Sequence, residues 1–199
     1  MKRMLDLCSG LGGASEAFFQ SDEWDVIRID NNPLLEHVPT TIIGDIFDTT
    51  DRWERSGCPH VDLIWASPEC RDFSQAYSAP GPKAAREGRD FTPDLGLVIE
   101  AKRIIEMIEP SHWVIENVLG SIPHLKPILG PPRMIVGPFV LWGNFPLFHL
   151  EGFTHDKFAK DPHSSDPLRA NVRAKVPARL SSALLSALAT QSSLEDWIQ

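Results

Sequence analysis

The chain has 199 residues, which is one domain of ordinary size and too few for an α/β catalytic domain plus a second large recognition domain. With 19 basic and 27 acidic residues its net charge is −8, which argues against a surface built wholly as a basic footprint for nucleic acid. A hydrophobic content of 42% with 23% charged residues argues against wholesale disorder, and no apolar run approaches the roughly 18 residues that a membrane helix needs.

The charge is uneven. Residues 1–70 hold 5 basic and 13 acidic residues, and residues 71–199 hold 14 of each. The first third therefore carries the whole imbalance. Three cysteines, Cys8, Cys58 and Cys70, form no CxxC pair, which fits free thiols in a reducing compartment. The first residues show no apolar stretch of a secretory leader, so a cytoplasmic location is expected.

In chain order, Met4-Leu5-Asp6-Leu7 reads as a short strand running into Ser9-Gly10-Leu11-Gly12-Gly13. Residues 14–20 look helical. Strands are predicted at 24–29, ending in Asp30; at 40–43, ending in Gly44-Asp45; and at 61–66, ending in Ser67-Pro68. Strands alternating with helices at this spacing predict an α/β fold with a doubly wound, mostly parallel Rossmann-like sheet. A loop rich in Gly, Pro and basic residues is expected over 67–91. Thr92-Pro93-Asp94 then supplies an N-cap, a first-turn proline and a first-turn acid for a helix. Its apolar stripe is Leu97, Val98, Ala101, Ile104, Ile105 and Ile108, and Pro110 stops it. A fifth strand over 112–115 ends in Glu116-Asn117. Ten of the 17 prolines lie between 110 and 177, where the signal thins to β-like runs at 133–136 and 139–142. Residues 149–175 read as irregular, and a last helix is expected at about 178–189. The organisation expected is one domain over 1–199. Residues 1–118 form its cofactor-binding and catalytic core. Residues 119–170 form a reduced, irregular recognition region with a small β-rich appendage, and 171–199 supply a helix that completes the core.

Three segments carry groups suited to chemistry. Glycines between a strand and a helix allow a tight turn and close approach to a ligand, with a plain turn that holds no ligand as the lesser alternative. The pattern is not GxGxxG. Asp6, Asp30 and Asp45 end successive strands, which would place three acids on one crevice. Such a rim suits hydroxyl, amine and sulfonium groups and suits a pyrophosphate poorly. The second segment, Ser67-Pro68-Glu69-Cys70-Arg71-Asp72-Phe73-Ser74, sets a thiol among charged neighbours, where Arg71 would favour the thiolate. In the third, Glu116-Asn117-Val118, an acid at the end of a buried strand is costly unless used or paired. It reads either as a structural hydrogen bond or as an acid working beside Cys70. Trp142 reads as a base-stacking ring or as core. Cys58-Pro59-His60 and the histidines at 149, 155 and 163 lack zinc spacing, so no metal is expected.

Taken together and in order, these segments resemble the DNA cytosine-5 methyltransferase family, in particular its compact bacteriophage-type members that lack a full target-recognition domain. The resemblance covers residues 3–118 strongly and 170–190 loosely. It implies S-adenosylmethionine as cofactor, held by Asp6, Cys8, Ser9, Gly10, Leu11, Gly12, Gly13, Asp30, Asn31, Asp45, Ile46, Pro68, Leu97 and Val176. It implies Cys70 as nucleophile, with Glu116 and Asn117 from the family's ENV motif. DNA is the implied partner, with a flipped or single-stranded cytosine contacted by Arg71, Ser74, Arg86, Arg89, Arg133 and Arg173. The implied reaction is methyl transfer to carbon 5 of cytosine, as in restriction–modification. Two departures stand out. Glu69 replaces the family's proline before the nucleophile, and Cys8 replaces its first-motif phenylalanine. The Gln-x-Arg-x-Arg motif is missing, with Arg133 as its nearest counterpart. Two alternatives stay open: an inactive or split cofactor-binding chain that needs a second protein for target recognition, and the same chemistry on RNA or a free pyrimidine nucleotide.

Overall fold

The computed structural model describes residues 1–154 and 165–198. Strand β1 (Lys2–Leu7) leads through a glycine turn to α1 (Glu16–Phe19), β2 (Trp24–Asp30) and β3 (Thr41–Ile43). Helix α2 (Ile46–Ser56), β4 (Leu63–Ala66), α3 (Pro80–Arg86), α4 (Gly96–Ile108), β5 (His112–Val118) and α5 (Ile122–Leu129) follow. A hairpin of β6 (Met134–Val136) and β7 (Phe139–Asn144) precedes α6 (Arg169–Ala174) and α7 (Ala178–Ile198). No helix among the described residues is long and apolar enough to cross a membrane.

The strands form one sheet in the order β3-β2-β1-β4-β5-β7-β6. Strands β1 to β5 pair in parallel, and β7 runs antiparallel to both β5 and β6. The chain winds outward in one direction from β1 to β3 and in the other from β4, so the order reverses beside β1. A crevice opens outside the carboxyl ends of the strands at such a reversal.

Side chains alternate between two cores, as the strand period of two requires. Met4, Leu63, Trp65, Val114 and Leu141 pack with Phe18 of α1 and with Leu180, Leu184 and Leu188 of α7. Leu5, Leu7, Ile64, Ala66, Ile115 and Val140 pack on the other face with Ile46 of α2, with Val98, Ala101 and Ile104 of α4, and with Leu125 of α5. Both faces of the sheet are covered, which is why β4 reads as an unbroken apolar run. The doubly wound fold expected from the alternating segments is the one observed.

Several boundaries differ for local reasons. Helix α2 was not predicted. It starts after Asp45, whose carboxylate accepts the Phe47 N–H at 2.9 Å, so an acid read as a strand end is also a helix cap. Part of the stretch read as a loop is helix α3, entered through Pro80 at its first position. Helix α4 begins at Gly96, not at Thr92. Asp72 accepts the Asp94 N–H at 3.1 Å and draws this stretch onto the turn that follows Cys70, while Asp94 Oδ1 takes the Gly96 N–H at 2.8 Å. The β-like runs at 133–142 extend the central sheet beyond β5, so part of the segment assigned to recognition is structural. Trp142 is fully buried and donates from Nε1 to the Gly130 carbonyl at 3.2 Å, which leaves its ring no face for a base.

Helix α7 closes one core through residues spaced four apart. Leu184 is fully buried in it. Leu184→Ala should lower unfolding stability by about 2–5 kcal/mol, read as a lower urea midpoint with an unchanged slope.

Candidate functional site

The glycine turn after β1 is built from three left-handed residues, Cys8, Gly10 and Gly12, with φ of 53°, 53° and 68°. The Ser9 N–H donates to the Ile29 carbonyl (3.2 Å) and the Gly12 N–H to the Ser9 carbonyl (2.9 Å). These bonds curl the chain over the end of β2. Gly12 and Gly13 are required by what lies beneath them. A Cβ on Gly12 would stand 2.6 Å from Arg28 Nε, and one on Gly13 would stand 2.0 Å from the Val176 carbonyl oxygen. Gly10 is different, because its nearest neighbour would be Asn171 at 3.8 Å. Val176 is buried, and Lys175 pairs with Glu16 at 2.8 Å. The segment joining α6 to α7 therefore seals the turn from above.

Asp6, Ser15 and Arg28 form a buried network beneath the turn. The Ser15 hydroxyl donates to Asp6 Oδ2 at 2.6 Å and accepts from Arg28 Nε at 2.8 Å. Arg28 Nη1 donates to the Pro39 carbonyl at 2.6 Å. Burial nevertheless pushes the Asp6 carboxyl up to about 7, against the opposing pull of Ser15 and Arg28. Ser15 and Arg28 were missed in the sequence, although an arginine in the middle of an apolar strand was a readable signal.

Asp30 ends β2 and is oriented by two backbone N–H groups, one from the glycine turn and one just beyond the strand. Its Oδ2 accepts the Gly10 N–H at 2.8 Å and Oδ1 accepts the Asn32 N–H at 3.0 Å. Each oxygen keeps a lone pair for another donor. Asn32, not the exposed Asn31, carries this link, and its side chain also reaches Asn171 at 3.4 Å. The Cys8 thiol is pushed up to about 12, first by loss of solvation and then by the charges of Asp30, Asp6, Asp45 and Glu69. Carboxyl groups from four segments thus lie close enough to this thiol to disfavour its charged form. Asp6 Oδ1 and Ser9 Oγ are buried there without a hydrogen-bond partner among the described residues. This donor set fits a ligand that presents hydroxyls, an amine and a positive centre, as S-adenosylmethionine does.

The segment bearing Cys70 adjoins this crevice. The Ser67 N–H donates to the Leu7 carbonyl at 3.1 Å, and the Trp65 indole N–H donates to Ser67 Oγ at 2.9 Å. Pro68 is buried and Cys70 is half-buried at the start of a short 3-10 turn (Arg71–Phe73). Asn117 of β5 donates from Nδ2 to the Pro68 carbonyl at 3.1 Å and accepts the Val118 N–H at 2.9 Å. Its neighbour Glu116 is buried. Gly120 lies against the turn so closely that a Cβ would stand 2.1 Å from the Phe73 carbonyl oxygen. A small cavity of about 70 Å³ is lined by Pro68, Glu69, Arg71, Asp72, Phe73 and Leu97 among others.

The basic residues are distributed less simply. Arg71 is exposed and lies 3.8 Å from Glu69 and 3.7 Å from Asp72, weak pairs in water. Ser74 accepts the Ala76 N–H at 3.2 Å. Arg86 stacks on Tyr77, Arg89 pairs with Glu87, and Arg173 is exposed on α6. Arg133 is not brought to the crevice. Its Nε donates to the Phe145 carbonyl at 2.6 Å, and it lines a cavity of about 410 Å³ with Lys2, Trp24, Asp62 and His112. Those residues begin strands or directly precede them, so this larger cavity opens at the end of the sheet opposite the crevice. The site is placed by the converging carboxylates and the thiol, not by cavity size. Among the described residues no group of three or more His, Cys, Asp or Glu could hold a metal; His155 and His163 lie outside them.

A family model described as C-5 cytosine-specific DNA methylase matches residues 2–126. A probable DNA (cytosine-5)-methyltransferase of Frog virus 3 is 28% identical over 121 residues, covering 58% of this chain and 53% of that protein. The type II methyltransferase M.AquIA of Picosynechococcus sp. is 29% identical over 132 residues, covering 61% of this chain and 50% of that protein. This chain thus spans about half the length of the curated relatives it matches. The solved Entamoeba histolytica methyltransferase EhMeth overlaps 76% of this chain and 55% of that one, at 13% identity and a TM-score of 0.49.

The raised Asp6 carboxyl sets a pH dependence. The native state keeps a proton that the unfolded chain gives up near pH 3.9. The resulting stability is fully present below about pH 4 and is lost as the pH rises through about 7. Asp6→Asn removes this dependence. The stability of the wild type relative to the variant should fall by about 4 kcal/mol between pH 4 and 8, measured by urea unfolding. Parallel curves for the two proteins would show that Asp6 titrates normally.

Proposed function

Because the chain belongs to the C-5 cytosine-specific DNA methylase family, we propose that it transfers a methyl group from S-adenosylmethionine to carbon 5 of cytosine in DNA through a covalent adduct with Cys70. The observation that carries this reading is the hydrogen bond from Asn117 to the Pro68 carbonyl. It ties the strand bearing Glu116 to the turn bearing Cys70, beside a crevice rimmed by carboxylates.

Asp30 would hold the ribose hydroxyls, with its carboxylate already aimed by the Gly10 and Asn32 N–H groups. Asp45, Ile46 and Leu97 would border the adenine, and Val176 closes the glycine turn. When bound, S-adenosylmethionine supplies an electrophilic methyl group.

Carbon 5 of cytosine is a poor nucleophile. Addition of the Cys70 thiolate to carbon 6 makes the ring enamine-like and raises electron density at carbon 5. Glu116, as the acid, would hold the nitrogen 3 edge of the base and give it a proton as negative charge develops there. Loss of the carbon 5 proton to solvent water, return of the nitrogen 3 proton to Glu116 and expulsion of the Cys70 thiolate restore the aromatic ring. The target base must leave the duplex, or start unpaired, to meet these groups. Arg71 and Arg89 on the adjoining segment, with Arg173 on α6, would meet phosphates, each contact adding salt-sensitive affinity.

A second reading is favoured by the position of Arg133 away from the crevice. In it, another chain supplies target recognition, and this chain alone transfers no methyl group. Transfer to RNA or a free nucleotide is a third outcome to compare in the same assay.

Labelled cofactor with duplex DNA, single strands, tRNA or nucleotides tests all three. Cys70→Ala should lose transfer by about a thousandfold or more while still binding cofactor, and should form no adduct with DNA containing 5-fluorocytosine. Full activity in the variant would reject Cys70 as nucleophile. Absence of methylated cytosine in DNA from cells expressing the wild type would reject DNA methylation by this chain alone.

A further inference from the structure

The cavity of about 410 Å³ at the far end of the sheet takes no part in the site described above. Its walls are gathered from distant stretches of sequence. Lys2 and His112 open β1 and β5, Asp62, Ser111 and Arg133 directly precede β4, β5 and β6, and Asn144 ends β7. Small-molecule sites usually measure roughly 300–1,000 Å³, so the space suits a ligand larger than a single ion. The floor is fixed by backbone bonds. Asp62 Oδ2 accepts the Arg3 N–H at 2.7 Å, the Asp62 N–H donates to the Arg3 carbonyl at 2.9 Å, and the His112 N–H donates to the Asp62 carbonyl at 3.0 Å. Arg133 is braced as well. Its Nε donates to the Phe145 carbonyl at 2.6 Å, and its guanidinium lies 5.5 Å from the Phe145 ring centroid. That bond uses only Nε, and Arg133 makes no salt bridge among the described residues. Its terminal nitrogens keep the planar fork that grips a phosphate through paired hydrogen bonds.

We propose that this cavity binds a phosphorylated sugar, with the phosphate on Arg133 and the sugar hydroxyls on Asp62 and Asn144. Lys2 and His112 add basic groups to the same walls, which suits the double charge of a phosphate monoester better than a single carboxylate. Acceptors stand beside these cations. Asp62 Oδ1 takes no hydrogen bond among the described residues, and neither does Asn144 Oδ1, while Asn144 Nδ2 donates to the Ser111 carbonyl at 3.1 Å. An inorganic phosphate would leave both acceptors unused and would set its charge near Asp62 with nothing in return. A ligand that also carries hydroxyls satisfies both kinds of group. Trp24 and Phe145 line the cavity but are only 7% and 1% exposed, so neither offers a face on which a base could stack. The site lies at the opposite end of the sheet from the crevice and stands whether or not the chain transfers methyl groups.

Calorimetric titration of the full chain with ribose 5-phosphate, ribose and inorganic phosphate tests this. Ribose 5-phosphate should bind with a Kd of about 0.1 mM or below, inorganic phosphate about tenfold more weakly, and ribose not measurably. Arg133→Gln should weaken ribose 5-phosphate by about tenfold or more. That variant also loses the bond to Phe145, so Ser111→Asp is the second probe. Ser111 is exposed and its backbone carbonyl still accepts from Asn144. The added carboxylate should repel the phosphate by about the same factor while the protein unfolds at the wild-type urea midpoint. A DNA single strand with a 5′-phosphate, compared with the same strand without it, separates two sources of the group. A preference for the phosphorylated strand that Arg133→Gln removes assigns a DNA end, and binding of ribose 5-phosphate without that preference assigns a free sugar phosphate. Wild type that binds neither, or affinity that survives in Arg133→Gln, overturns the proposal. Inorganic phosphate that binds as tightly as ribose 5-phosphate overturns the assignment of a sugar.

Discussion

A carboxylate in the centre of a sheet is expensive, and the arrangement of this protein depends on how Asp6 is accommodated. Full burial raises its pKa toward neutrality even though Ser15 donates to it and the Arg28 guanidinium lies close. An isolated ionised group there would cost several kcal/mol. The same three residues shape the turn above them. Arg28 lies where any side chain on residue 12 would have to go. Ser15 sits at the end of the turn and binds both partners. The network that makes Asp6 tolerable therefore also dictates glycine at 12 and the curl that brings the Gly10 N–H onto Asp30.

Parallel strands then do the gathering. Because β1 to β5 run the same way, whatever follows each of them emerges at one edge. Cys8, Asp30, Asp45 and Glu69 come from separate stretches of sequence, yet all three carboxylates act on the one thiol. The negative net charge of the chain, concentrated in residues 1–70, is in part the charge of this crevice. A local acidic rim and a locally basic 71–89 segment can coexist in a protein of net charge −8, because electrostatic attraction is screened within about 8–10 Å at physiological salt.

Closure comes from the far end of the chain. Residues 171–176 reach back over the glycine turn through Asn171, Lys175 and Val176. Beyond them, Leu180 and Leu184 fill the core beneath β1 and β4. The glycine-turn side of the crevice and one hydrophobic core are thus completed by the same segment. Stability and ligand affinity should be coupled through α7, because anything that binds only the folded form stabilises it.

The alternation of apolar strands with polar turns made the parallel sheet readable, because strands buried on both faces must be apolar throughout. The spacing of Asp6, Asp30, Cys70 and Glu116 against those strands made the candidate site readable as well. Helix α2 was missed although Ile46, Thr50 and Trp53 recur at helical spacing, and α3 was hidden in a stretch rich in Pro and Gly. The start of α4 was misplaced because a hydrogen bond from Asp94 to Asp72, distant in sequence, outweighs local capping preference. What the amino-acid order determined by itself was local: strand, turn and thiol, each set by patterns within a few residues. Which acids share a crevice, that Asn117 holds Pro68, that Arg133 turns to the opposite end of the sheet and that Trp142 is core were decided only by the tertiary structure. Those are relations between residues up to about 130 positions apart, as Lys2 and Arg133 are on one cavity, and they exist only once packing has brought the segments together.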